Sequence, residues 1–254
     1  MILSPSILSA DFAALGRDIG IVEEAGAAWL HVDVMDGVFV PQITIGQPVV
    51  KSIRKATGLF LDVHLMIVHP EKHVESFAEA GADLITIHYE AAKDPAAVIR
   101  QIHKAGCRAG ISIKPGTPVS VLEPFIKKEP APASIGRNAE AKALAGDVEK
   151  ANVPKDYFAS PIVPKSPYAD LILMMSVEPG FGGQKYIEAT DGKLQELSRM
   201  LGADSPLVEV DGGVNRENAG KLLALGVDVL VAGSAVFKGG EEEIINNISY
   251  FNSL

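Results

Sequence analysis

One pattern constrains this chain more than any other: short aliphatic and β-branched runs alternate with segments of helical period, and the pair recurs eight times. The strand-like runs cover about Ile2 to Ser9, Trp29 to Met35, Leu59 to Met66, Leu84 to Tyr89, Arg108 to Lys114, Leu171 to Val177, Leu207 to Asp211 and Val229 to Gly233. Helical stretches such as "EKHVESFAEAGA" and "NAGKLLALGV" lie between them. Four of these segments end "EAGA", "EAGA", "KAGC" and "ALGV", each placing a glycine where a left-handed helix cap needs one. Eight β-then-α units in 254 residues predict an α/β chain folded as one closed (β/α)8 TIM barrel, a single domain over 1–254. An open doubly wound sheet is the weaker alternative, because no G-x-G-x-x-G follows the first strand.

The rhythm breaks once. From about Lys128 to Tyr168 the chain is rich in Pro, Ala and Lys and much longer than the usual αβ connection of about 2–6 residues. The segment reads as a surface insertion between the fifth helix and the sixth strand, with a short helix expected around Asn138 to Lys150. Such connections lie on the barrel face opposite the active site, so the insertion should leave the chemistry intact.

Charge and composition narrow the partners. A formal charge of −9 argues against a general nucleic-acid or anionic-membrane binder, though not against a small phosphate held by backbone N–H groups. Cys107 is the sole cysteine, which excludes an intrachain disulfide and fits a reducing compartment. The opening "MILSPSILSADF" looks like neither a signal peptide nor a membrane span, so a cytoplasmic location is expected.

Strand parity then groups the polar residues. Side chains two apart share a strand face, which puts His31, Asp33 and Met35 together in the second strand and Asp62, His64 and Met66 together in the third. In the seventh, Glu209 and Asp211 share a face, and Asp211 stands at the carboxyl end. Polar residues at the carboxyl ends of barrel strands converge on one mouth, so His31, Asp33, His64 and Asp211 form a candidate metal site of two imidazoles and two carboxylates. Asp36 falls beyond the strand end and reads as a turn-holding residue. Glycines cluster in "EPGFGGQ", "DGGV" and "AGSAVF" after strands six to eight, which favours a phosphate cradle to which Gly183, Gly213, Gly233 and Ser234 contribute. A metal beside two carboxylates and a phosphate grip suggests a sugar phosphate that loses and regains a proton next to its carbonyl. Carboxylates on opposite sides of a planar enediolate would invert the carbon, with no nicotinamide required.

The ordered motifs "PSILSADF", "HVDVMDG" with "FVP", "DVHLMI", "SVEPGFGGQK", "VDGGV" and "AGSAVF" resemble those of the ribulose-phosphate 3-epimerase family, over nearly the whole chain apart from the insertion. The resemblance implies a TIM barrel that interconverts D-ribulose 5-phosphate and D-xylulose 5-phosphate in the pentose phosphate pathway. It places one divalent metal ion (zinc or iron, with manganese or cobalt as alternatives) on His31, Asp33, His64 and Asp211. It makes Asp33 the proton acceptor and Asp211 the donor, with the roles exchanged in reverse. Ser9, His64, Gly180, Phe181, Gly182, Gly183, Gly212, Gly213, Gly233 and Ser234 match substrate or phosphate contacts, and Met35, Met66 and Met175 match an apolar lining. It also implies a homo-oligomer, a dimer or larger, although the insertion leaves the assembly open. Gln42 stands where the family typically has Asn, which puts one loop hydrogen bond in doubt. Two rival readings stay open: epimerisation of a ketohexose 6-phosphate such as D-allulose 6-phosphate, and a non-catalytic phosphate-binding barrel.

Overall fold

The computed structural model describes residues 1–127, 158, 162–163, 166–202 and 205–254. Eight parallel strands run in the spatial order β1-β8-β7-β6-β5-β4-β3-β2. They are β1 (Ile2–Pro5), β2 (Trp29–Met35), β3 (Phe60–Met66), β4 (Leu84–His88), β5 (Arg108–Ile113), β6 (Leu171–Met175), β7 (Leu207–Asp211) and β8 (Val229–Ala232). One parallel bridge between Ser6 and His31 joins the first strand's end to β2 and nearly closes the ring. This is the expected barrel, and the open sheet is excluded because β1 pairs with β8 on one side while its end is bridged to β2 on the other.

The helices α1 (Leu15–Glu24), α2 (Gln47–Ala56), α3 (Val74–Ala80) and α4 (Pro95–Lys104) follow the first four strands. Helix α4 starts where the sequence dictates: the Asp94 side chain accepts from Ala97 N, and Pro95 occupies the first turn, where no N–H partner is needed. Later come α5 (Thr190–Met200), α6 (Ala219–Ala224), the one-turn α7 (Ser234–Phe237) and α8 (Glu241–Asn252). The glycines of the four "AG/LG" signals, 26, 81, 106 and 226, all have positive φ. At Gly81 (φ 106°) a Cβ would also stand 2.4 Å from Arg54 Cγ, so both conformation and space require glycine.

Two expectations shift. The first strand stops at Pro5 rather than Ser9, because the Ser6 hydroxyl accepts from Leu8 N and turns Ile7–Ser9 into a 3-10 helix. After β5 the described residues form a 3-10 helix, Val119–Phe125, that contains Pro124 and so cannot run on as an α-helix. The helix expected around Asn138 to Lys150 lies outside the described residues.

The strands are buried on both faces, as parallel barrel strands must be. Outward side chains such as Val32, Val63, Ile85 and Ile111 pack beneath the helices. Inside the barrel, Trp29, Phe60, Leu84, Leu171 and Val229 fill the amino-terminal end, where Trp29 and Phe60 stack at 4.4 Å. Above this apolar plug the interior turns polar: Ser4, His31, Asp62, Thr86, Ser112 and Glu209 are all fully buried.

Candidate active site at the carboxyl end of the barrel

Register builds the site. Strands β2 and β3 pair His31 with Asp62, Asp33 with His64 and Met35 with Met66, so two adjacent strands present matching rungs to the interior. Strand β7 brings Asp211 opposite Met175 of β6 and Val231 of β8. His31 Nε2 and His64 Nδ1 lie 3.2 and 3.3 Å from Asp33 Oδ1, and each lies 4.0 Å from Asp211 Oδ2.

Hydrogen bonds occupy the other sides of these groups. His31 Nδ1 donates to Asp62 Oδ2 at 2.6 Å, and Ser6 Oγ donates to Asp33 Oδ2 at 2.6 Å. His64 Nε2 meets His88 Nε2 at 2.9 Å. By contrast, His31 Nε2, Asp33 Oδ1 and His64 Nδ1 are buried atoms without a hydrogen-bond partner. Orphaned polar atoms in the interior are costly, and three aimed at one point fit a bound cation. Four donor atoms around a tetrahedral ion with bonds of about 2.0–2.1 Å would stand roughly 3.3 Å apart, close to the spacing around Asp33. The donor atoms of His31, Asp33, His64 and Asp211 therefore suit a divalent metal.

The electrostatics are those of a crowded charged cage. Burial opposes charge on Asp33, but His31 and His64 beside it hold its carboxyl well below the usual range. Burial likewise opposes charge on His31, yet Asp62 and Asp33 raise it. Burial lowers His64, keeping that ring neutral. Asp211 is pushed up to about 7, first by burial and then by the Asp33 charge. Glu209, deeper in the barrel, is raised well above the carboxylate range by burial and by Asp62.

Above the cage opens a pocket that the late βα loops surround. Ser9, Gly180, Phe181, Gly182, Gly183, Gly212, Gly213, Gly233 and Ser234 all line it, together with Asp33, Asp211, Met35, Met66 and Met175. His31 and His64 lie beneath its floor. The loop after β6 is braced by Gln184 Nε2, which donates to the carbonyls of Glu178 and Phe181. Ser176 Oγ donates to the carbonyls of Asp211 and Gly212, tying the β6 and β7 ends together. Gly213 has φ 64° and no room for a side chain, since a Cβ would stand 2.3 Å from Tyr186 N.

Asp36 holds the turn as expected: its carboxylate accepts from the N–H groups of Val38, Phe39 and Val68. Gln42 serves the same loop through its backbone, accepting from Gly37 N. Sequence reading missed Ser6, His88 and Glu90. The β3–β4 register sets Thr86 opposite His64, and His88, two residues further on the same face of β4, reaches His64 Nε2 diagonally.

Known proteins align with this chain along most of its length. The profile of the "Ribulose-phosphate 3 epimerase family" matches residues 2–130 and 139–237. The "Ribulose-phosphate 3-epimerase" of Bacillus subtilis (strain 168) is 42% identical over 238 residues, 92% of this chain and 91% of that protein. The "Ribulose-5-phosphate-3-epimerase, chloroplastic" of Arabidopsis thaliana is 42% identical over 241 residues, 93% of this chain and 72% of that protein. Among solved structures, phosphoribosyl anthranilate isomerase from Thermus thermophilus superposes with a TM-score of 0.58 at 16% identity, covering 100% of this chain and 99% of that one. A mutant tryptophan synthase α-subunit from Pyrococcus furiosus gives 0.62 at 12% identity, covering 100% of this chain and 97% of that one. At these identities the structures share the barrel and nothing more.

Proposed function

This chain belongs to the ribulose-phosphate 3-epimerase family, and from that premise we propose how its residues carry out the reaction. The protein interconverts D-ribulose 5-phosphate and D-xylulose 5-phosphate in the pentose phosphate pathway. The observation that carries the mechanism is the convergence of His31 Nε2, Asp33 Oδ1, His64 Nδ1 and Asp211 Oδ2 beneath the glycine loops.

Asp33 removes the C3 proton of D-ribulose 5-phosphate, a task that suits a carboxylate kept ionised by two imidazoles. His31, Asp33, His64 and Asp211 would hold a divalent ion, zinc or iron in preference to manganese or cobalt, and that ion would supply Lewis-acid stabilisation of developing oxygen charge. Asp211, the second carboxyl group of the pair, delivers a proton to the opposite face. In the reverse direction the two carboxyl groups exchange roles. Met35, Met66 and Met175 form an apolar wall that limits water at the planar intermediate. Backbone N–H groups around Gly183, Gly213, Gly233 and Ser234 grip the phosphate, and Ser9 adds a hydroxyl.

The test is a coupled assay with D-ribulose 5-phosphate and D-allulose 6-phosphate, before and after chelation, beside metal analysis of the unchelated protein. Higher efficiency on the pentulose, about one divalent ion per chain and loss on chelation are expected. Full activity in a metal-free protein would overturn the metal reading, and equal or better turnover of the hexulose phosphate would overturn the pentulose preference.

A further inference from the structure

We propose that His88 and Glu90 are positioning residues that set the tautomer of His64, fixing its Nε2 proton so that the Nδ1 lone pair faces the metal cage. The inference rests on the reading of His64 as a metal ligand and extends it into the adjacent strands.

The proton positions follow from a chain of contacts. His64 Nδ1 faces the cage without a hydrogen-bond partner, while its Nε2 meets His88 Nε2 at 2.9 Å. One of two facing ring nitrogens must donate and the other accept. His88 Nδ1 lies 3.3 Å from Glu90 Oε2. A carboxylate only accepts, so His88 carries its proton on Nδ1 and offers a lone pair at Nε2. His64 must then donate from Nε2, which leaves Nδ1 unprotonated and available to a cation.

The chain is anchored at its far end. Glu90 Oε1 accepts from Lys114 N at 2.8 Å and from the Thr117 hydroxyl. A backbone N–H can only donate, so the atom facing Lys114 must be an acceptor. The rings are clamped as well: His88 is fully buried, lies nearly coplanar with His64 (28° between planes) and packs against Phe39 with ring centroids 4.8 Å apart.

This geometry makes Glu90→Gln an unusually informative substitution. The amide oxygen must stay on Lys114 N, which turns the NH2 toward His88 Nδ1. His88 then protonates on Nε2, His64 must accept there, and its remaining proton moves to Nδ1, pointing into the cage. The change reverses the tautomers through two rings while hardly altering shape.

The test is nitrogen-15 NMR of the histidine rings in the metal-free full-length protein, wild type against Glu90→Gln, with thermal melts to establish folding. Titration with Co2+, followed by its visible spectrum, reads affinity. The expected result is His64 in the Nε2–H form in the wild type and the Nδ1–H form in Glu90→Gln, with Co2+ binding about 10–100-fold weaker. Glu90→Ala, which removes the acceptor without supplying a donor, should leave mixed tautomers and an intermediate affinity. An Nδ1–H wild type, or the same His64 tautomer in a folded Glu90→Gln, overturns the inference. A wild type that binds no Co2+ while showing the expected tautomers overturns the metal reading instead.

Discussion

Ser6 Oγ donates to Asp33 Oδ2 at 2.6 Å, while Oδ1 of the same carboxylate has no hydrogen-bond partner and faces both cage histidines. One oxygen is held by the protein and the other is left for chemistry. Ser6 also forms the bridge to His31 that nearly closes the barrel, so closure and orientation of the proposed base share one residue. Ser6→Ala should lower kcat by roughly 10–100-fold, the range set by losing a hydrogen bond to a charged group of about 1.5–3 kcal/mol. Steady-state kinetics check this, and a KM effect with unchanged kcat would contradict it.

Asp33 and Asp211 should fail in mirror-image ways. With D-ribulose 5-phosphate, Asp211→Asn retains solvent exchange at C3 but loses inversion, because Asp33 still removes the proton and nothing delivers one to the far face. With D-xylulose 5-phosphate the same variant loses exchange too. Asp33→Asn should reverse this pattern. Each should cut net turnover by roughly 10²–10⁴-fold. Deuterium incorporation by NMR at matched metal content decides; the same pattern in both variants would refute the two-sided mechanism.

The Asp211 carboxyl, pushed up to about 7, predicts a pH-dependent stability in the metal-free protein. A group with a raised folded pKa contributes stability that is complete below its ordinary pKa and is lost as pH rises through the folded value. Relative to Asp211→Asn, the metal-free wild type should therefore lose thermal stability between pH 3.8 and about 7. Zn2+ should abolish that trend, and its uptake within this range should release protons. Paired melts across pH check the sign, and a wild type that gains on the variant as pH rises would contradict it.

Gly233 places its α-carbon where a side chain would collide with Ser9, since a Cβ would stand 2.5 Å from Ser9 Oγ. Its φ is −93°, so Gly233→Ala is not barred by left-handed backbone strain. The substitution should displace the hydroxyl, raise KM and lower kcat/KM about tenfold or more, with the melting temperature little changed. Inorganic phosphate, used as a competitive inhibitor, should weaken in parallel; an unchanged inhibition constant would remove Ser9 and Gly233 from the phosphate grip.

Strand parity made much of this site legible. His31, Asp33, His64 and Asp211 are picked out because side chains alternate along a strand and barrel strands open at one end. The glycines were legible because close backbone packing leaves few alternatives, as at Gly213. Contacts set by the relation between strands were hidden. His88 reaches His64 diagonally across the β3–β4 pair, whose register sets Thr86 opposite His64, and Glu90 takes its place from Lys114 N across the next strand. The first strand was overextended because Ile7 and Leu8 look β-like, whereas a local bond from the Ser6 hydroxyl bends them into a 3-10 turn.

The opposite end of the barrel offers a test of separation between stability and chemistry. Trp29, Phe60 and Arg108 are the first residues of β2, β3 and β5, and Phe158 lies against all three. Its ring centroid is 6.1 Å from those of Trp29 and Phe60, and Arg108 Cζ stands 4.4 Å over it. Arg108 is itself held by Asp170 Oδ1 at 3.1 Å, so the guanidinium is positioned to cover the ring. Phe158→Ala removes a half-buried ring and a cation–π contact, together about 1–2 kcal/mol. For a chain of this size that corresponds to a fall in melting temperature of roughly 2–8 °C. Turnover at 25 °C should stay at the wild-type value, because the polar layer of Ser4, Asp62 and Glu209 separates this end from the cage. Lost turnover at an unchanged melting temperature would show that the amino-terminal plug and the mouth are coupled through that layer.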